Sequence, residues 1–198
     1  MVQVDPQLSN SFAQHLLSGK ELPISYDNIF SFVTTVDPSN YVSVPVYRGF
    51  SRAKAIYISF VVPGTQYNTN FACPLDGAAS TVANDLFRIY IQHGSTRNPL
   101  YATESVAEVF YRNRLAAQIA DGTDTFGVQY QDFIGTKFWS GFSLEKAAGE
   151  AIHSGLNTMG SVLYVNLQSL GASITSVHVV VIFDSVAAIT SGGVEVKY

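Results

Sequence analysis

The chain reads as an all-β protein made of two antiparallel sheets, and three features of the sequence predict this. Segments with an apolar residue at every second position recur along most of its length, a single stretch carries well-formed helix signals, and the run SVHVVVIF (176–183) is apolar on both faces. In that run Val177, Val179, Val181 and Phe183 point one way while His178, Val180 and Ile182 point the other. A strand greasy on both sides belongs inside a sandwich of sheets or at a contact between subunits. Left exposed it would be an aggregation nucleus.

Taken in order, the elements begin with an arm. Leu8, Phe12, Leu16 and Leu17 recur at helical spacing between Asp5-Pro6 and Gly19, so a short amphipathic helix is expected in an N-terminal arm or linker, residues 1–20. The domain proper is expected over 21–198, a length at which one core buries roughly 70% of the surface of the unfolded chain. Phe30, Phe32 and Val33 open the strands, and Asp37-Pro38-Ser39-Asn40 places proline at the second position of a turn. From Val42 to Tyr47 the valines alternate with Tyr41, Ser43 and Pro45; the proline lacks a ladder donor, so this strand is expected at a sheet edge or bulge.

Ala53 to Val62 has Ile56, Ile58, Phe60 and Val62 on one face and Tyr57 and Ser59 on the other, the pattern of a half-buried antiparallel strand ended by Pro63-Gly64. A long polar loop follows over 66–83, and Phe87, Ile89 and Ile91 then face inward from the next strand. NPLYATES (98–105) reads as a loop leading into the best helix of the chain, between Thr103 and Gln118. There Ser105 and Glu108 form a capping-box pattern and Val106, Val109 and Phe110 share a face. After the loop Asp121-Gly122-Thr123-Asp124, strands are expected around Phe126–Tyr130, Lys137–Phe142, Ser161–Leu170, Ile174–Phe183 and Val194–Lys197. Eight or more strands, one well-signalled helix in a long connection and mostly long loops make a jelly-roll β-sandwich the expected architecture.

Composition narrows the function classes. Charged residues are 13% of the chain, against about 25% in a typical soluble domain, which suits a surface covered by partners. The net charge is −4, the eleven basic residues are scattered, and the first twenty residues hold one lysine and no arginine. Binding of nucleic acid through a basic arm is therefore not expected. Nor is a membrane span or a signal peptide, because no apolar run nears twenty residues and the N-terminus lacks a charged region before an apolar core; the chain is expected to be intracellular when made. The single Cys73 excludes an internal disulfide framework and a cysteine zinc site, and is expected to be a buried free thiol.

Catalytic signals are weak. His15, His93, His153 and His178 have no partner at metal-ligand spacing, and His178 sits mid-strand as a core or interface histidine. No nucleophile elbow, phosphate loop or dinucleotide fingerprint follows a strand, and Trp139-Ser140-Gly141 reads as a strand with a buried indole. No catalytic residue, metal or cofactor is expected. Eleven tyrosines and thirteen phenylalanines fit core and subunit contacts; a sugar-stacking surface is the alternative, for which only the 65–76 loop offers clustered polar residues.

Several segments together carry a resemblance. Gly155-Leu156-Asn157-Thr158 with Gly160, the strand VLYVNLQSL, the strand VHVVVIFDSVAAI and the terminal Gly-Val strand are similar to the C-terminal jelly roll of double-jelly-roll major capsid proteins from virophages, polintons and adintoviruses. LPISYDNIFSFVTTV, the segment Arg48-Gly49-Phe50-Ser51-Arg52 before AKAIYISF, and NPLYATES before VAEVFYRNRLAA extend the likeness over about Leu22 to Tyr198. No single motif is diagnostic; the order of the matches carries the resemblance. It implies a non-enzymatic structural protein of the virion that forms trimeric capsomers of pseudo-hexagonal outline and tiles an icosahedral shell. Its implied partners are other copies of itself, an N-terminal jelly-roll half, and penton or minor capsid proteins.

Those proteins carry two jelly rolls in one chain, and here there is room for one, so a C-terminal half and a single-jelly-roll penton or vertex protein both stay open. Contact candidates are Phe12 and Leu16 on the arm, Phe110, Tyr111, Arg112 and Arg114 on the helix, and Tyr198 at the end of the last strand; for the two arginines a solvated face is the plainer reading. The runner-up function is a lectin-like or receptor-attachment module on the same scaffold. A cupin-like metalloenzyme is third, disfavoured by the scattered histidines.

Overall fold

The computed structural model describes residues 6–37, 41–61, 87–117, 127–135, 137–145, 155–170 and 174–197. The described elements run α1 (Pro6–Leu17), β1 (Leu22–Thr35), β2 (Tyr41–Val46), β3 (Ala53–Val61), β4 (Arg88–His93), β5 (Thr96–Thr103), α2 (Val106–Ala116), α3 (Tyr130–Gly135), β6 (Ser140–Ser143), β7 (Leu163–Gln168), β8 (Ser176–Thr190) and β9 (Gly193–Lys197). One sheet has the order β1-β8-β3-β6 with β9 added to β8, and the other has the order β2-β7-β4-β5. The first strand thus lies beside the eighth, the second beside the seventh, the third beside the sixth and the fourth beside the fifth. That is one long antiparallel ribbon folded at its middle and rolled into two sheets, the jelly roll that the alternation predicts.

The chain divides into two compact units, Met1–Asn28 with Asp184–Tyr198, and Ile29–Phe183. In the second unit the inward residues of both sheets form one core. Ile56, Ile58 and Phe60 of β3 stand opposite Val181, Val179 and Val177 of β8, and Ile89 and Ile91 of β4 stand opposite Leu167 and Val165 of β7. All ten side chains are 0–1% exposed, which is what period-2 alternation produces when one face of each sheet meets the other. Aromatic rings fill one end, where Phe60 packs edge-on to Phe87 at 5.8 Å. At another, the Arg48 guanidinium lies over Phe30, Phe50 and Phe183 at 4.9–5.7 Å from their ring centres, a cation held on ring faces.

In the first unit α1 forms as the arm's spacing predicts, with no residue buried. It ends at Gly19, whose φ of +76° is the left-handed conformation that terminates helices. Within that unit β8 turns through Ser191-Gly192 into β9, with Thr190 opposite Gly193.

Several expectations hold residue by residue. Proline-bearing β2 is an edge strand, and Ser105 caps α2 by accepting from the Glu108 N–H. The carboxylate of Glu108 reaches back to the Glu104 N–H at 3.4 Å, one residue earlier than a strict capping box.

Other expectations are corrected. NPLYATES is not a loop: it contributes most of β5, joined to β4 by a two-residue turn at Gly94-Ser95. The register slips between Ile89 opposite Thr103 and Ile91 opposite Asn98, which erases the alternation that would have revealed it. The strand expected around Phe126–Tyr130 gives way to α3 from Tyr130 onward, with Phe133 buried against Phe110 and Phe138 at 5.1 and 5.0 Å; Phe126 lies outside the described residues. β1 begins at Leu22 and β8 continues to Thr190, both longer than their apolar cores suggested. β3 is not half-wet, since Tyr57 and Ser59 on its outer face are also largely covered. Asp37 is described but the rest of its turn, the 66–83 loop and Asp121–Asp124 lie outside the described residues.

Ile58 is fully buried where β3 sits between β6 and β8. Ile58→Ala is expected to cost about 2–5 kcal/mol in urea unfolding, whereas Ser31→Ala, on an exposed position of β1, is expected to stay within about 0.5 kcal/mol.

Candidate functional site

The chemistry-bearing side chains of the second unit gather on the outer faces and at the edges of the two sheets. At the β6 edge a helix side chain does the work of a strand. Asn113 of α2 is fully buried; its Nδ2 donates to the Trp139 carbonyl at 2.6 Å, and its Oδ1 accepts the Gly141 N–H at 2.5 Å. One amide therefore satisfies both a donor and an acceptor of an edge strand that would otherwise offer them to another chain. Asparagine is a poor choice mid-helix, and that is the one signal in the sequence that could have marked it.

Beside this clamp the Tyr57 ring meets Trp139 edge-on at 5.3 Å and its hydroxyl donates to the Ala116 carbonyl at 3.0 Å. A side chain at Gly141 would lie 2.9 Å from both rings, so the close approach of α2, β3 and β6 requires glycine there. Burial pushes the Tyr57 phenol above its ordinary pKa. Next to these rings lies an open groove of about 360 Å³ lined by Tyr57, Ile58, Ser59, Trp139, His178 and Val180. His178 thus stands on the outer face of the sheet, half-buried among apolar neighbours.

The outer face of the second sheet is different in kind. The Tyr41 hydroxyl donates to Asn166 Oδ1 at 2.6 Å, Asn166 Nδ2 reaches Gln92 Oε1 at 3.4 Å, and Arg97 lies over the Tyr90 ring at 4.9 Å. Burial first, and then the hydrogen bond with Tyr90, raises the Tyr41 pKa. The result is a polar and aromatic sheet face held by its own hydrogen bonds.

The structure separates the contact candidates. Phe12 is 45% exposed on α1 while Leu16 is half-buried. Phe110 turns toward α3, edge-on to Tyr130 at 5.6 Å and to Phe133, whereas Tyr111 points outward and is 61% exposed. Both Arg112 Nε and one terminal nitrogen bind Glu108 Oε1, at 2.9 and 2.7 Å, four residues back on the same helix. Arg114 is half-buried in the last turn of α2. Tyr198, Cys73, His153 and the 65–76 loop lie outside the described residues.

His15 Nε2 is 3.4 Å from the Glu21 carbonyl, and His93 Nε2 is 2.5 Å from Ser161 Oγ, tying the end of β4 to the approach to β7. Among the described residues no three His, Cys, Asp or Glu side chains are grouped to hold a metal, and no helix is long and apolar enough to cross a membrane.

No sequence family and no curated protein matches the chain. In structure it is similar to VP54 of PBCV-1, as fitted into a reconstruction of the virophage Sputnik, with a TM-score of 0.62 and 13% identity over 98% of this chain and 55% of that one. It is similar to a chain of the PBCV-1 virus capsid, with a TM-score of 0.60 and 15% identity over 98% of this chain and 55% of that one. A chain of the Sputnik virophage follows at a TM-score of 0.51 and 8% identity, over 89% of this chain and 39% of that one. The chain shares the jelly-roll fold of these viral chains, and it spans about half the length of the two PBCV-1 chains.

Removing the clamp strands two buried backbone groups, so Asn113→Ala is expected to cost about 1–3 kcal/mol for each of them in urea unfolding. Gly141→Ala is expected to cost about 1–3 kcal/mol by overpacking. Because the folded state holds the Tyr57 proton more tightly than the unfolded chain, that part of stability is complete below pH ~10 and declines as pH rises from there through the higher folded value. Alkaline unfolding curves of Tyr57→Phe should lack that share of the decline.

Proposed function

We propose that this chain is a capsid subunit, a structural protein of a virion whose work is to assemble with copies of itself. The observation that carries the reading is the likeness in fold to viral capsid chains over 98% of this chain. The chemistry of the surface supports it. With 13% charged residues and exposed apolar side chains such as Leu100, Tyr101, Tyr111 and Met159, the protein has area to bury against neighbours and little charge to desolvate in doing so. Many modest contacts repeated by symmetry then close into a stable shell. Trimeric capsomers are the proposed intermediate, with Tyr111 and the arm residues Phe12 and Leu16 among the contacts.

Because the chain spans about half of the two PBCV-1 chains, a companion jelly roll is part of the proposal: a pseudo-hexagonal capsomer needs two rolls per subunit, and one roll alone would serve a penton or vertex position. Residues 1–20 carry one lysine and no arginine, so genome contact through a basic arm is not proposed for that segment.

A second reading has one observation of its own. The Tyr41, Asn166, Gln92, Tyr90 and Arg97 array combines ring faces with fixed amide groups, as a glycan-attachment surface does. Mass photometry over a concentration series, with a glycan array run on the same preparation, separates the two. The capsid reading predicts trimers or larger assemblies without ligand, persisting in high salt because apolar contact is little screened. A lasting monomer that binds glycans would overturn it.

A further inference from the structure

Within the first unit, the apolar and charged residues of the sheet are sorted onto opposite faces. There β8 pairs with both β1 and β9, and Asn28 Nδ2 reaches Ser185 Oγ at 3.4 Å, so those two side chains share a face. Alternation then puts Ile24 and Tyr26 of β1 on that face together with Ala187 and Ile189 of β8. Val196 and Val194 of β9 stand opposite Ala187 and Ile189 and join them. Ile24, Tyr26, Val194 and Val196 are all exposed. Asp27, Asp184, Glu195 and Lys197 fall on the other face. α1 has matching chemistry. It holds no Asp, Glu, Lys or Arg, it sets Leu8, Phe12 and Leu16 on one stripe at four-residue spacing, and none of its residues is buried.

We infer that α1 of one copy lies on this apolar sheet face of a second copy, with Phe12 set among Tyr26, Ile189 and Val194. The inference rests on the assembly reading above and names the surface that receives the arm. A second copy fits, and the helix's own sheet does not, because the link over residues 18–21 is short and stitched to the last turn of α1. The Ser18 and Gly19 N–H groups donate to the Gln14 and Leu16 carbonyls at 3.0 Å. The Ser18 hydroxyl donates to the His15 carbonyl at 2.6 Å, and His15 Nε2 stands 3.4 Å from the Glu21 carbonyl. A link held in this way has no slack to turn the helix back over a strand that starts at Leu22, so the stripe is offered to a neighbour. The dimensions agree. A twelve-residue helix is about 18 Å long, and the five residues of β9 span about 17 Å. Neither surface carries a charge to desolvate, so contact buries apolar area at little polar cost. Helix and receiving face are different surfaces, which makes the contact heterologous, the kind that passes from copy to copy around a ring.

The test uses the full chain. In a Cys73→Ser background, Phe12→Cys protein mixed with Val194→Cys protein and treated with a short bis-maleimide should give covalent heterodimers. Phe12→Cys mixed with Glu195→Cys, on the charged face, should give several-fold fewer. The double variant Phe12→Cys, Val194→Cys should link between chains. In the otherwise unmodified chain, Phe12→Asp would carry an unpaired charge into the contact and should weaken association at least about tenfold in sedimentation. Its urea midpoint as a dilute monomer should not move, because no residue of α1 is buried, and Phe12→Leu should keep the association. Assembly that ignores Phe12→Asp and gives no link between 12 and 194 would overturn this inference and leave the capsid reading standing. So would a link confined within single chains, which would make the helix's own sheet the occupant. A protein that stays monomeric at every concentration would overturn both.

Discussion

Strand β8 is the constraint from which most of the molecule follows. Its inward residues Val177, Val179, Val181 and Phe183 are 0–1% exposed, and its outward residues include Val180 and Ile182, with no Asp, Glu, Lys or Arg anywhere in 176–183. A strand of this composition is stable only with neighbours on both sides and cover on both faces. β1 and β3 supply the sides, and the second sheet supplies one face. Among the described residues the other face is only partly roofed: Trp139 meets Tyr57 edge-on over part of it, and an apolar groove lies beside them. A surface of that kind has a use when other protein is to cover it.

Edge closure is the second half of the same logic. A sheet exposes unpaired backbone groups at its outer strands, and this chain treats them one by one, with proline in β2 and β5, a buried asparagine at β6, and charge on β9. The Asn113 clamp also fixes α2 against β6, which draws Tyr57, Trp139 and Gly141 into contact. Local helix sequence, sheet edge and outer surface are thereby coupled through a single amide.

How much of this was legible in the sequence depended on range. Strands with strict alternation, such as β3, β4 and β7, announce both their existence and their inward residues, because period 2 is a local property. Pro45 located an edge and Ser105 a helix start for the same reason. β5 hid because a bulge opposite β4 breaks its alternation. α3 hid because a six-residue helix is held by what Phe133 packs against and not by its own periodicity. Of the contact candidates, Tyr111 was legible as an outward residue, but Phe110 and Arg112 were not, since only the fold reveals α3 beside one and only rotamers reveal Glu108 gripping the other. The Asn113 clamp and the Tyr41–Asn166 array join residues 28 and 125 positions apart, beyond the reach of any pattern in the sequence.

The central claim is that the unroofed apolar surface of this protein is covered by other protein. Trp139 is the only tryptophan in the chain and lines that surface, so its fluorescence reports on it directly. Across a concentration series its emission should shift to the blue, and its quenching by acrylamide should fall, in step with assembly. Assembly that leaves both signals unchanged would contradict the account.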